Sequence, residues 1–124
     1  MSDGRDALGR SAEDLAARYL ARLGYRIVAR REQILRGDID LIALDGRTVV
    51  FVEVRARSDL DHGHPAESID GRKQRRIAEL ATAYVRRHRL EECPLRIDVV
   101  TVLFQPDAAP PRVEHFPDAF ESPL

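Results

Sequence analysis

Cysteine is almost absent from this chain: Cys93 stands alone among 124 residues. An internal disulfide is therefore excluded, and a cysteine-built zinc site has no ligand set. Tryptophan is missing, and lysine is reduced to Lys73, so nearly all positive charge is carried by arginine. No apolar run reaches the roughly 18 residues needed to span a bilayer, and MSDGRDALGRSAED has no apolar core of signal-peptide type. These absences predict a cytoplasmic protein with no membrane partner. A bulk charge of either sign is lacking too, since the formal net charge is −1. Internal repeats and linker-like stretches are absent. With 44% hydrophobic residues, the expectation is one domain over 1–124, with 1–7 and 117–124 as tails.

The near-neutral total hides an uneven distribution. Arg72 to Arg89 holds seven Lys or Arg and one acid, Glu79, a local +6 that leaves −7 for the rest. A neutral protein with one basic segment can hold a polyanion locally, although a solvated helix face explains a charge run equally well.

The most informative stretch is Gly37 to Arg57, GDIDLIALDGRTVVFVEVRAR. It reads as two strands around a tight turn at Asp45-Gly46. In that register Leu44 lies opposite Arg47, Asp40 opposite Phe51 and Asp38 opposite Glu53. Side chains alternate, so Asp38, Asp40, Glu53 and Arg55 share one face. Ile39, Leu41, Ala43, Val50, Val52 and Val54 take the other. Asp40 and Glu53 become diagonal neighbours, about 7–8 Å apart at the backbone, within reach of one divalent cation. A three-residue loop would flip the parity and separate them. Both faces are apolar around these charges, which predicts a central strand pair covered by helices.

The rest of the chain supplies the covering elements. A helix is expected from Ser11, with Asp14 as capping partner and Gly24 as its stop. Glu13 lies on the border of its apolar stripe, either as a first-turn acid favoured by the helix dipole or as a third carboxylate over the sheet edge. Tyr25 to Arg30 reads as a strand, and 32–36 as a link. Ser58 to Asp70 reads as a loop, whose Asp59, Asp61, His62 and His64 are taken as solvated turn residues rather than metal ligands. A second helix runs from about Asp70 to Arg89 with Ile77, Leu80, Ala81, Tyr84 and His88 inward. Lys73 should point to the sheet end, as a snorkelling side chain or a phosphate contact, while Arg72, Arg75, Arg86 and Arg87 face outward. Cys93-Pro94 ends that helix. Leu95 to Phe104 forms a strand whose Asp98 is explained by pairing with Arg96 or another arginine, or by a position at a strand end. A last strand lies near Val113–Phe116, and Phe120 is expected to pack back. The order is α-β-β-β-α-β-β.

An acid on one strand and Glu-x-basic on its partner can build a metal-dependent phosphodiester site. Carboxylates suit Mg²⁺ or Mn²⁺, which lower the pKa of a bound water and polarise phosphate. The helix with Glu13, GDIDLIA, FVEVRAR, the Lys73-bearing helix and RIDVV together resemble the YraN-like family of small bacterial proteins, described by similarity as endonucleases. That family is similar to the archaeal Holliday-junction resolvases of the PD-(D/E)XK nuclease superfamily. The resemblance covers roughly residues 6–120. It implies a restriction-endonuclease-like αβββαβ core, a mixed central sheet flanked by helices. It also implies that Glu13, Asp40 and Glu53 hold metal, that Asp40, Glu53 and Arg55 form the catalytic set, and that Lys73 contacts nucleic acid near the site. Arg72 and Arg76 beside it are expected to bind DNA as well. Resolvase-like relatives act as dimers, which extends the expectation to a homodimer.

The superfamily pattern has lysine where this chain has Arg55. Arginine does not lose its proton, so Arg55 cannot be a general base but can stabilise charge on phosphorus. Three function classes follow: a metal-dependent nuclease on branched or single-stranded DNA, a non-catalytic nucleic-acid-binding module on the same fold, and a protein-interaction module.

Overall fold

The computed structural model describes residues 4–58 and 69–119, with residues 4–8 and 58 described by backbone alone. The loop with Asp59, Asp61, His62 and His64, and Phe120, lie outside the described residues. The elements are α1 (Gly4–Arg22), β1 (Arg26–Ile34), β2 (Gly37–Asp45), β3 (Thr48–Ser58), α2 (Gly71–His88), β4 (Leu95–Phe104) and β5 (Arg112–Phe116). The expected order holds. The first helix begins at Gly4 rather than Ser11, and β1 continues through Ile34, absorbing part of the expected 32–36 link.

The five strands form one mixed sheet in the order β1-β2-β3-β4-β5. Only β3 and β4 are parallel, joined by the crossover through α2. That pair is rich in valine on both faces, as strands covered from both sides are. On one side α2 packs Ile77, Leu80, Ala81 and Tyr84 against Ile42, Phe51, Ile97 and Val99. On the other, Ala16 and Leu20 of α1 meet Leu41, Ala43, Val50, Val52 and Val100. The covering of both faces expected from the hairpin is therefore found. His88, expected on the inner stripe of α2, is exposed and rests its ring 4.2 Å from that of Tyr84. No helix among the described residues is long and apolar enough to cross a membrane.

The hairpin register is corrected by one position at the turn. Asp45 pairs with Thr48 and Leu44 with Val49, so the two-residue loop is Gly46-Arg47, not Asp45-Gly46. Gly46 takes a φ of +61°, which a side chain would resist. The loop remains two residues long, so face parity survives while every partner shifts by two. The alternation also breaks within β2: Ile39 joins the cluster under α2, whereas Leu41 and Ala43 join the one under α1.

Helix α2 begins at Asp70, whose carboxylate accepts the Lys73 backbone N–H at 2.9 Å. It ends where Arg89 turns left-handed at φ 56°. Asp98, fully buried on β4, accepts hydrogen bonds from Arg96 Nε at 2.8 Å and from the Asp118 N–H at 2.9 Å. It also lies 2.7 Å from His115 Nε2. The pairing with Arg96 is as expected, and the Asp118 contact ties the start of the expected tail to β4. Burial alone would raise the Asp98 carboxyl, but His115, Arg96 and the Asp118 N–H outweigh it and hold it below its ordinary value.

Asp98→Ala would leave Arg96 and His115 without their shared anion. The expected loss is about 3–5 kcal/mol, read from the urea midpoint at neutral pH. A depressed carboxyl contributes above its unfolded value and loses that contribution as pH falls through the folded one, so the gap to wild type should narrow in acid.

Candidate functional site

β2 and β3 are paired only from the turn down to Leu41 and Val52. Beyond that point β2 stays with β1 through Gln33–Asp38, and β3 stays with β4 to Ser58–Phe104. The sheet therefore parts between them. Asp40 and Glu53 lie just beyond the last pair on each strand, near enough for the charge of Glu53 to act on the Asp40 carboxyl. In place of a ladder bond, the Asp40 carboxylate itself accepts the Val54 N–H at 2.8 Å.

Each of three carboxylates here has a different partner. Glu53 is buried, and its Oε1 lies 3.4 Å from Lys73 Nζ, which the first turn of α2 delivers to the sheet. Glu13, on α1, accepts from Arg31 Nε at 2.6 Å, with its side chain only 12% exposed. Arg31 reaches it from a left-handed backbone, φ 51°, on β1. Asp40 forms no ion pair with any cation among the described residues. Burial, then the charges of Glu53, Glu13 and Asp38, push its carboxyl up to about 7 against the opposing Val54 hydrogen bond.

Among the described residues no three His, Cys, Asp or Glu side chains gather as a ready metal-binding group. Asp40 and Glu53 come together, while Glu13 is turned to Arg31. The donor chemistry of the first two fits a hard divalent cation: both are carboxylates beside apolar core, and their repulsion is what such an ion relieves. Arg55, two residues after Glu53 and level with Thr101, is half-buried and engaged within the fold. Arg72 is exposed. Arg76 turns instead toward the β1–β2 turn, donating to the Leu35 carbonyl, and pairs with Glu79 at 3.1 Å.

Sequence reasoning missed Arg31 as the partner of Glu13. The chain enters its neighbourhood through a register shift between Ile27 and Ala29, and such bulges leave no clear mark in composition. The capture of the Val54 N–H was likewise invisible, because it requires the strands to separate.

The model of "Uncharacterised protein family UPF0102" matches residues 12–102. A UPF0102 protein of Anaeromyxobacter dehalogenans is 46% identical over 119 residues, covering 96% of this chain and 87% of that protein. One from Pelotomaculum thermopropionicum is 43% identical over 120 residues, covering 97% and 100%. One from Geobacter sulfurreducens is 43% identical over 115 residues, covering 92% and 88%. These names give a family and state no activity.

Asp40→Asn keeps the acceptor for Val54 and removes the repelled charge. A carboxyl whose folded value is raised costs stability progressively as pH climbs from its ordinary value through about 7. The variant should therefore exceed wild type by about 2–4 kcal/mol near pH 8, with the gap almost closed near pH 4, as measured by urea midpoints without divalent metal.

Proposed function

We propose that the chain, which belongs to the uncharacterised protein family UPF0102, is a Mg²⁺- or Mn²⁺-dependent endonuclease with a restriction-endonuclease-like core. DNA is the proposed substrate, branched or single-stranded forms included, in the cytoplasm. The observation that carries this reading is the meeting of Asp40 and Glu53 where β2 and β3 part, with Arg55 two residues on.

Asp40 and Glu53 would hold the cation, with Glu13 available if it exchanges its bond to Arg31. The chemistry supplied by a cation bound there is polarisation of a phosphate oxygen and a lowered pKa for water. The protein's own groups do the rest. Glu53 holds Lys73 at the cleft now; once that carboxylate is engaged elsewhere, Lys73 is released to meet a phosphate. Arg55 stabilises charge building on phosphorus and stays protonated throughout. The Val54 N–H fixes the carboxylate of Asp40, so little reorganisation is needed. Exposed Arg72 and its neighbours on α2 add nonspecific attraction for a polyanion.

A second reading, a nucleic-acid-binding module without catalysis, is favoured by one observation: Glu13 and Glu53 are already paired with Arg31 and Lys73. A cleavage assay separates the two. With Mg²⁺ or Mn²⁺ on single-stranded, duplex and four-way-junction DNA, the enzyme cleaves, and Asp40→Ala and Glu53→Ala each lose at least about a hundredfold. Salt-sensitive binding with no cleavage in either metal would establish the module instead. Arg55→Lys should retain most of the rate while Arg55→Gln loses about 10²–10³, because the role is charge and not proton removal. Equal rates in Arg55→Gln and wild type would remove Arg55 from the mechanism.

A further inference from the structure

The turn between β1 and β2 is a two-residue loop, Leu35-Arg36, and the chemistry above makes no use of it. Both residues take positive φ, 50° and 61°. A loop with both central residues left-handed is the type I′ hairpin turn, whose low-strain sequence is Asn-Gly. Leucine and arginine adopt this backbone against their preference. The Leu35 side chain gains no burial in return, for it is 53% exposed.

The turn is nonetheless held in place. Arg76 of α2 donates to the Leu35 carbonyl while its other guanidinium nitrogen pairs with Glu79. Gly37 leaves room for that arm: a Cβ there would stand 3.2 Å from Arg76 Nη2 and from Leu80. Leu35 borders two open grooves, of about 650 Å³ and 530 Å³. Arg36 and Arg87 line the first, and Arg75 and Arg86 the second. All four arginines are exposed. The acids in these linings are Asp38 and Glu79, and Glu79 is already neutralised by Arg76. An apolar tip on a fixed backbone, ringed by arginine, matches a nucleic acid in both its parts: apolar between bases, basic along phosphates.

We propose that the Leu35-Arg36 turn is a wedge that inserts Leu35 at a break in base stacking, while Arg36, Arg75, Arg86 and Arg87 hold the flanking phosphates. This rests on the proposed function insofar as DNA is the partner. Leucine cannot replace lost stacking as an aromatic ring would, so insertion is favoured where the stack is already interrupted, at a nick or a bulge. Leu35 precedes Asp40 by five residues of nearly continuous strand, about 16 Å at 3.3 Å per residue. The wedge would therefore fix the duplex at a set distance from the carboxylates, about five nucleotides along one strand.

The test uses the full chain with Ca²⁺ in place of Mg²⁺, and duplexes carrying 2-aminopurine beside a nick or in continuous sequence. Wild type should raise 2-aminopurine emission at the nick and prefer the nicked duplex. Leu35→Ala should lose the emission rise and about tenfold of that preference. The Leu35→Asn/Arg36→Gly double variant should melt at a higher temperature than wild type yet lose the same signal, which a merely structural turn would not do. Emission and preference unchanged in Leu35→Ala, or retained in the stabilised double variant, would overturn the wedge while leaving a cleaving wild type as the nuclease proposed above. A wild type that binds no DNA at low salt would overturn both.

Discussion

The site depends on the point at which β2 and β3 stop pairing. Down to Leu41–Val52 they share a ladder; below it each follows its outer neighbour, and Asp40 takes up the Val54 N–H that the ladder releases. Continuous pairing would engage the Val54 N–H in a ladder bond and deny it to the Asp40 carboxylate. The cleft has apolar walls because both faces of the central strands are covered, one by each helix. Carboxylates in such surroundings need partners, and the partners come from every element around the opening: Arg31 from β1, Lys73 from α2 and the β3 backbone.

Two aspartates in the same sheet show how completely surroundings decide chemistry. Asp98 is more deeply buried than Asp40, yet Arg96, His115 and a backbone N–H keep it ionised. Burial, then the charges of Glu53, Glu13 and Asp38, push the Asp40 carboxyl the other way. The first arrangement is satisfied and structural: it ties β4, β5 and the segment at Asp118 together. The second is like-charged and incomplete in itself, the condition expected where function rather than stability has selected the residues. The left-handed turn at Leu35-Arg36 follows the same logic on the backbone, a conformation kept at a cost beside a basic surface.

Much of this was legible in the sequence. The β4 boundaries, the start of α2 at Asp70 and the order of elements follow from apolar periodicity, turn residues and caps, all local signals. Asp40 and Glu53 stood out because each interrupts an apolar strand. The turn was read one residue early because Asp45-Gly46 carries the stronger composition signal for a two-residue loop, yet Gly46-Arg47 also places glycine at a central position. The shift of two preserves parity from the turn to Leu41 and Val52, but the alternation breaks beyond that pair, where Ile39 joins the face under α2. Glu13 was ambiguous in the sequence between a helix-dipole acid and a site carboxylate; its bond to Arg31 is a third arrangement that helical position alone does not suggest.

The sequence by itself determined which strands are buried, where the charges interrupt them and which helix carries the basic surface. Those properties depend on neighbours a few residues away. Only the tertiary structure decided where β2 leaves β3, that Arg31 and not solvent meets Glu13, and that Arg76 reaches back 41 residues to the Leu35 carbonyl. These depend on twist, a bulge and the docking of α2, which bring together groups distant in the chain. A carboxylate's place in a strand can be read from its neighbours, but its partners are set by how the strands and helices meet.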